Sequence, residues 1–240
     1  MAITALFGPP VSGKTSLAID LAFAMSRRGL SVCLLSTESY SELAVLLQVN
    51  IPKKTSLAAA YEMPGALRQT VCKADELLYV LAEHCGSDVF AQEESARAVK
   101  ELLRQLHEAY DCVIVDCTSR ADSALAAWSL RMSDRVLMTT GCRPAAFEWH
   151  KSYRRAVWEI ADKVSYVCVQ ARESFDYAAL AAALDVTPEL RLPYIWNAEL
   201  LRENNRTLCA AKSLSRATRR ALREYSDAIE TLCAKLEVSQ

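Results

Sequence analysis

The sequence of 240 residues predicts a three-layer α/β fold, in which helices cover both faces of a mostly parallel, twisted sheet of about seven strands. Short, nearly continuous apolar runs alternate with longer amphipathic segments, as expected for parallel strands that are buried on both faces. Hydrophobic residues make up 52% of the chain, which is sufficient for a sizeable core. Because no repeat or linker-like run interrupts the pattern, we predict one domain, residues 1–240, with a C-terminal helical segment at about 212–236.

Local signals justify the elements of the first half in order. Residues 3–7 are apolar and partly β-branched and predict a strand, whereas 14–28 carry an apolar stripe at helical spacing that ends at Gly29. Residues 31–36 form a nearly continuous apolar run and are the second predicted strand. The pattern then becomes weaker and predicts a short helix, a turn and a capped helix start, at 41–47, 51–54 and 55–57.

The second half of the chain repeats this alternation. Residues 93–110 predict an amphipathic helix because Val99, Leu102, Leu103 and Leu106 lie on one side of it. Two more helices are predicted, at about 145–162 and 212–236. The remaining strands are expected in short apolar runs, at 77–81, 111–116, 136–140, 164–170 and 189–194.

Residues 8–15 read GPPVSGKT and match the phosphate-binding loop pattern G-x-x-x-x-G-K-T between the first strand and helix. Backbone N–H groups of such a loop, together with the N-terminus of the helix behind it, surround phosphate oxygens. Lys14 is predicted to reach the β- and γ-phosphates as a catalytic residue, and the Thr15 hydroxyl to bind Mg²⁺. The predicted nucleotide-binding residues of this P-loop are Gly8, Pro9, Pro10, Val11, Ser12, Gly13, Lys14, Thr15 and Ser16.

A second chemical signal is the apolar run at 111–116, which ends in Asp116. In P-loop enzymes a carboxylate at the end of such a strand helps to hold Mg²⁺. We therefore predict Asp116 as a catalytic residue and as a Mg²⁺ ligand through a water molecule.

Composition excludes several classes of function. A formal net charge of -1 argues against a globally basic nucleic-acid binder, and no apolar run approaches the ~20 residues of a membrane span. The nine cysteines include no C-x-x-C pair, so reduced thiols are favoured over a zinc site or disulfide framework. The three histidines have no metal-ligand spacing. The first predicted strand leaves no room for a signal peptide, and we expect a cytoplasmic protein.

The order of the later landmarks resembles the MinD/ParA superfamily of dimeric P-loop ATPases, of the SIMIBI class. After the P-loop, the segments SVCLLSTES, YDCVIVDCTSR, MSDRVLMTT and LPYIWNAELLRENN follow at that superfamily's spacing. The resemblance covers about residues 1–208, is loosest between 41 and 76, and is nearest to the CpaE/TadZ branch, whose ATPases place and assemble pili. It implies a P-loop NTPase fold with ATP and Mg²⁺ as cofactors.

The resemblance also implies roles for single residues. Glu38 occupies the place of an acidic residue near the attacking water or the Mg²⁺ shell, and is a predicted catalytic residue, whereas Ser36 stands where an earlier Asp is common. The residues predicted to contact the adenine base are Gln170, Pro193 and Tyr194, with Asn197 as a further candidate.

Pro9 departs from the superfamily pattern. The typical loop has a lysine after its first glycine, which crosses the dimer to the partner's phosphates, whereas proline has neither charge nor N–H. Either another Arg or Lys replaces that lysine, or hydrolysis is slow. The alternative is a nucleotide-binding localisation scaffold with little or no hydrolysis. A RecA-like protein or small-molecule kinase is less favoured because no acceptor motif is recognisable, and no N/T-K-x-D run indicates guanine.

The resemblance implies an ATP-dependent homodimer that acts with a protein partner in a pilus, secretion or partition machine. It leaves recruitment to the inner face of the membrane or to a cell pole open. DNA or membrane contact is also open, since the cationic stretch Arg216, Arg219, Arg220 and Arg223 is followed by Glu224, Asp227 and Glu230. A second cationic and aromatic stretch surrounds Trp149 and Trp158, and is expected to provide core or interface anchors.

Overall fold

The computed structural model describes residues 2–86, 95–120, 123–170, 172–213 and 215–238. Within them, eight strands form one sheet in the order β3-β4-β2-β5-β1-β6-β7-β8. The strands are β1 (Ala2–Phe7), β2 (Val32–Ser36), β3 (Cys72–Lys73), β4 (Leu78–Leu81), β5 (Cys112–Asp116), β6 (Arg135–Thr139), β7 (Val164–Val169) and β8 (Leu190–Leu192). The predicted α/β fold with a mostly parallel sheet is confirmed.

Ten α-helices connect or flank the described strands. They are α1 (Lys14–Arg27), α2 (Leu43–Leu46), α3 (Leu57–Glu62), α4 (Leu67–Thr70), α5 (Ala96–Ala109), α6 (Ala124–Met132), α7 (Ala145–Trp158), α8 (Tyr177–Leu184), α9 (Ala198–Glu203) and α10 (Arg216–Val238). The chain divides into two compact units, each held together mainly by contacts within itself. Unit 1 comprises Met1–Ala5 and Leu21–Asp134, and unit 2 comprises Leu6–Asp20 and Arg135–Gln240.

In unit 1, β2 pairs in parallel with β4 and β5, while β3 pairs antiparallel with β4. The two-residue strand β3 raises the strand number to eight, and it was missed because two residues are too short to show a period. The buried side of α5 consists of Val99, Leu102, Leu103 and Leu106, as predicted. This helix begins at Ala96 behind the N-cap Ser95, and the predicted start at 93 lies outside the described residues.

In unit 2, β7 pairs in parallel with β6 and β8. Trp149 on α7 packs against Phe7 and Tyr153, with ring centroids 4.8 and 4.6 Å away, so it is the expected packing anchor. Trp158 at the end of the same helix is 79% exposed and does not serve as a core anchor. Helix α7 ends earlier than predicted, because a 3-10 turn at Ala161–Lys163 replaces its last residues.

Three features of the described residues bear on function class. No helix among them combines the length and the apolar character that crossing a bilayer requires. None of the nine cysteines, all of which lie among the described residues, forms a disulfide bond. No group of three or more described His, Cys, Asp or Glu side chains is arranged to hold a metal ion.

Candidate nucleotide-binding site

The P-loop occupies residues 8–13 of unit 2, between the end of β1 at Phe7 and the start of α1 at Lys14. Ser12 and Lys14 are buried, whereas Val11 at the tip of the loop is 60% exposed. Val11 has φ +57°, which is unfavourable for a β-branched residue. The Val11 carbonyl accepts a weak hydrogen bond from the Cys142 Sγ at 3.7 Å.

The base of the loop is fixed to the end of β6. The Thr139 Oγ1 donates a 2.6 Å hydrogen bond to the Ser12 Oγ, and both side chains are buried. Gly8 lies directly against this pair, because an added Cβ there would be 2.0 Å from the Thr139 Oγ1. Gly13 has φ +81°, and an added Cβ would be 2.8 Å from the Val169 Cγ1. The two motif glycines therefore leave room for both the backbone turn and the neighbouring strands.

Replacing Gly8 with alanine is expected to displace the loop, since the new methyl group would overlap the Thr139 hydroxyl. Nucleotide affinity should fall at least about tenfold, with a stability loss of about 1–3 kcal/mol from overpacking. Titration calorimetry with ATP and thermal denaturation would measure the two effects. Gly29→Ala is the control for ATP affinity, which it should leave unchanged because the space around it is open, although its φ of +88° gives it a stability cost of its own. Unchanged ATP affinity in Gly8→Ala would contradict this interpretation of the loop.

Pro9 is a packing residue of unit 2. It is buried, and its Cγ would lie 2.7 Å from a Cβ added to Gly141 in the segment that follows β6. The same added Cβ would be 2.8 Å from the Ala146 Cβ on α7. The side chain at position 9 is thus directed towards Gly141 and the start of α7.

His150 on α7 is also fixed to the segment after β6. Its Nε2 lies 3.1 Å from the Thr140 carbonyl oxygen. Because a carbonyl oxygen can only accept, Nε2 carries a hydrogen and donates the hydrogen bond. Burial lowers the pKa of His150, while the bond to Thr140 opposes that shift. His150 is accordingly a structural group that holds α7 to the segment after β6.

Two of the predicted base-contact residues, Gln170 and Pro193, follow the paired ends of β7 and β8. The Gln170 N–H donates to the Leu192 carbonyl at 3.1 Å, which places Gln170 beside the segment that begins at Pro193. Gln170 follows Val169, the residue that covers Gly13. Pro193 and Tyr194 are half-buried, and Asn197 adopts a left-handed conformation before α9.

Sequence reasoning did not identify the buried network around Asp20 on α1. The Asp20 carboxylate is fully buried and accepts hydrogen bonds from the Arg202 guanidinium at 2.5 Å and the Tyr225 hydroxyl at 2.6 Å. The Thr207 hydroxyl donates to it at 2.5 Å and the Leu208 N–H at 3.0 Å. The one available signal was a lone carboxylate in the apolar run SLAIDLA.

Arg202 extends this network to the residues behind the P-loop. Its guanidinium donates to the Ser16 carbonyl at 3.1 Å as well as to Asp20, and its side chain is 9% exposed. Four elements are therefore joined at one carboxylate of unit 2: the first half of α1, together with α9, α10 and the 3-10 helix Leu208–Ala210.

In unit 1, the predicted residues Asp116 and Glu38 lie at the same edge of the sheet. Asp116 is in register with Ser36 at the ends of β5 and β2, and its carbonyl accepts the Thr37 N–H at 3.1 Å. The Glu38 N–H donates to the Ser36 Oγ at 3.3 Å. Asp116 is 2% exposed, and Glu38 is half-buried. Both acidic residues thus stand at or just after the carboxyl ends of neighbouring strands, where α/β sheets place ligands.

A comparison with protein families matches residues 11–165 of this chain to the family described as AAA domain. The chain belongs to this family. Together with the fold, the match confirms the sequence-based assignment to the MinD/ParA superfamily of P-loop ATPases. The narrower assignment to the CpaE/TadZ branch stays a prediction. A comparison with curated proteins finds no match.

Solved structures with this fold include a ParA family ATPase from Chlorobium tepidum TLS, with a TM-score of 0.76, 14% identity and 97% of each chain covered. A putative plasmid partition protein from Borrelia burgdorferi B31, bound to AMPPNP, matches with a TM-score of 0.74 and 15% identity. The match covers 98% of this chain and 100% of the Borrelia chain. The septum site-determining protein MinD from Pyrococcus horikoshii OT3, complexed with Mg-ADP, matches with a TM-score of 0.74 and 16% identity. The match covers 100% of this chain and 98% of the MinD chain. At these identities the similarity establishes the fold.

Proposed function

We propose that this protein is a MinD/ParA-like ATPase that binds ATP with Mg²⁺, hydrolyses it slowly, and works as a nucleotide-dependent dimeric switch. Its role in this proposal is to position or assemble a cellular machine of the pilus, secretion or partition type. The observation that carries the proposal is the P-loop, whose glycines let the chain turn close against Thr139 and Val169 and whose Lys14 is buried at the start of α1. Relatives in complex with AMPPNP and with Mg-ADP support the choice of nucleotide and metal.

The chemistry of each assigned residue suits phosphates or Mg²⁺. Backbone N–H groups of the loop and the Lys14 ammonium suit phosphate oxygens, and the Thr15 hydroxyl and the Asp116 carboxylate are the hard oxygen ligands that Mg²⁺ prefers. When bound, Mg²⁺ would neutralise charge on the β- and γ-phosphates. Glu38 is assigned to orient the attacking water, and Gln170, Pro193 and Tyr194 to contact the adenine.

Slow hydrolysis is proposed because no cation stands at position 9. Positive charge that the protein places beside the transferring phosphoryl group accounts for a large part of catalysis in enzymes of this kind. Pro9 supplies none, and its burial against Gly141 gives that position a packing role instead. A binding scaffold with little or no turnover is therefore the second candidate function.

An ATP-dependent homodimer is proposed from the resemblance and from exposed apolar side chains in unit 2. Val11 on the P-loop is 60% exposed, and Trp196 and Leu200, which follow the proposed base segment, are 61% and 54% exposed. Large exposed apolar side chains favour burial against a partner. A cytoplasmic location, with recruitment to the membrane or a pole, and a partner in a pilus, secretion or partition machine complete the proposal.

Light scattering on a size-exclusion column tests the dimer. With Mg²⁺ and a non-hydrolysable ATP analogue the mass should rise from monomer to dimer, and with Mg-ADP it should remain that of the monomer. Phosphate release measured in parallel should be slow but above background. An unchanged mass with the analogue would refute the dimeric switch, and binding without any phosphate release would favour the scaffold.

A further inference from the structure

A pocket of about 600 Å³ lies in unit 2, between α10 and the segment that follows the 3-10 helix Leu208–Ala210. Three cationic side chains line it: Lys212, Arg219 and Arg223. The other lining residues are small, apolar or neutral, namely Cys209, Ala211, Ser213, Leu222 and Ser226. A volume of this size is typical of sites that take a ligand.

The three cations of this pocket differ from other cations of unit 2 in their ion pairing. On the same helix Arg220 pairs with Glu224 at 2.7 Å, and Lys235 pairs with Glu189 at 2.9 Å. Among the described residues, by contrast, no acidic group forms an ion pair with Lys212, Arg219 or Arg223. In a chain of net charge -1, three such cations around one concavity favour an anionic ligand.

The shape and lining favour a short acidic peptide. The helical lining from Arg219 to Ser226 extends over about 10 Å, which matches a few residues of extended chain. Ala211, Cys209 and the edge of the largely buried Leu222 contribute apolar surface to the same lining. An acidic segment with an apolar side chain would pair with both kinds of surface.

The same helix disfavours a nucleic acid. Glu224, Asp227 and Glu230 follow within two turns and are exposed, so a phosphate backbone that continued past the pocket would meet like charges. No aromatic side chain lines the pocket to stack on a base.

The pocket adjoins the buried Asp20 network. Cys209 of the pocket follows Leu208, whose N–H donates to Asp20, and Tyr225, which also donates to Asp20, lies on α10 between Arg223 and Ser226. Both walls of the pocket are thereby tied to α1, the helix that begins at Lys14. A ligand that moves one wall relative to the other would act on the hydrogen bonds of this network.

We propose that this pocket binds a short acidic segment of a partner protein, anchored by an apolar side chain, and that the Asp20 network couples its occupancy to the P-loop. Binding to the pocket does not depend on the proposed function, whereas the coupling rests on it. By reciprocity, any change that Mg-ATP causes in peptide affinity is matched by an equal change that the peptide causes in ATP affinity.

Fluorescence anisotropy on the full chain tests the pocket, with a labelled peptide of aspartate and glutamate around two central leucines as the probe. The peptide should bind without nucleotide, and binding should weaken with added salt. Arg219→Gln/Arg223→Gln should lower its affinity at least about tenfold, as loss of charged hydrogen bonds predicts. Arg220→Gln, which removes a charge one position away, should leave the affinity unchanged.

Three results would overturn the pocket proposal: no binding of this peptide, equal binding of a peptide with asparagine and glutamine in place of the acids, or an equal loss in Arg220→Gln. Binding of duplex DNA in place of the peptide, lost in the Arg219→Gln/Arg223→Gln variant, would assign the surface to nucleic acid and refute the proposal.

A second measurement tests the coupling. Adding Mg-ATP should change peptide affinity at least about threefold in the wild type, and less in Tyr225→Phe, which lacks the hydroxyl bound to Asp20. Equal affinity with and without nucleotide, in a protein that calorimetry shows to bind ATP, would overturn the coupling. If calorimetry shows no ATP binding, the proposed function fails while the pocket is still decided by the peptide alone.

Discussion

Lys14→Ala is expected to reduce ATP affinity at least about a hundredfold and to lower phosphate release to background. Lys14 is 8% exposed at the first position of α1, where the ammonium would meet the β- and γ-phosphates behind the loop. Charge pairs that are shielded from water are far stronger than those on a surface, and losing one costs several kcal/mol of binding. Titration calorimetry and a phosphate-release assay measure the two effects.

Lys151→Ala is the matched control for this variant. It removes the same charge from an exposed position on α7, where Lys151 makes a 3.4 Å pair with Glu148. Its ATP affinity and turnover should equal those of the wild type, since such surface pairs contribute little. Circular dichroism must show that Lys14→Ala is folded. Phosphate release equal in wild type and Lys14→Ala would exclude this site as the source of the activity.

Asp20→Ala is expected to lower the free energy of unfolding by about 3–5 kcal/mol. The substitution leaves the Arg202 guanidinium buried without its carboxylate and deprives three further donors of their acceptor. Breaking one partner of a buried pair costs much more than a surface pair contributes, because the remaining charge stays desolvated. Urea denaturation followed by circular dichroism measures the loss.

Two companion variants calibrate that result. Tyr225→Phe removes one donor and should cost about 1–2 kcal/mol, since Asp20 keeps its other hydrogen bonds. Asp227→Ala changes an exposed carboxylate on the same helix and should stay within about 0.5 kcal/mol of the wild type. A loss in Asp20→Ala no larger than that in Asp227→Ala would show that the network does not stabilise unit 2.

The burial of Tyr225 gives the network a defined protonation state. Burial is the main cause that raises the pKa of the phenol well above its usual value, and the adjacent Asp20 carboxylate adds to it. The hydroxyl therefore remains protonated at physiological pH and can donate to Asp20.

The exact ends of several helices could not be predicted from the local sequence pattern. The strand–loop–helix order around residues 8–15 was predictable because the motif requires both neighbours. The helix predicted over 145–162 was too long because the sequence alone did not reveal the 3-10 turn at Ala161–Lys163. Helix α9 was not predicted, since six residues are too few to establish a helical period.

Among the candidate site residues, the sequence by itself determined the P-loop, because glycine spacing and one lysine specify a phosphate cradle wherever a strand and a helix flank them. It also determined the parallel sheet, through the apolar runs. Only the tertiary structure shows that Thr139 and Val169 leave no room for a side chain at Gly8 and Gly13. Only the tertiary structure shows, too, that Pro9 packs on Gly141. It likewise decided that Asp20 holds four elements together, because hydrogen bonds between residues as distant as Asp20 and Tyr225 exist only once the chain has folded.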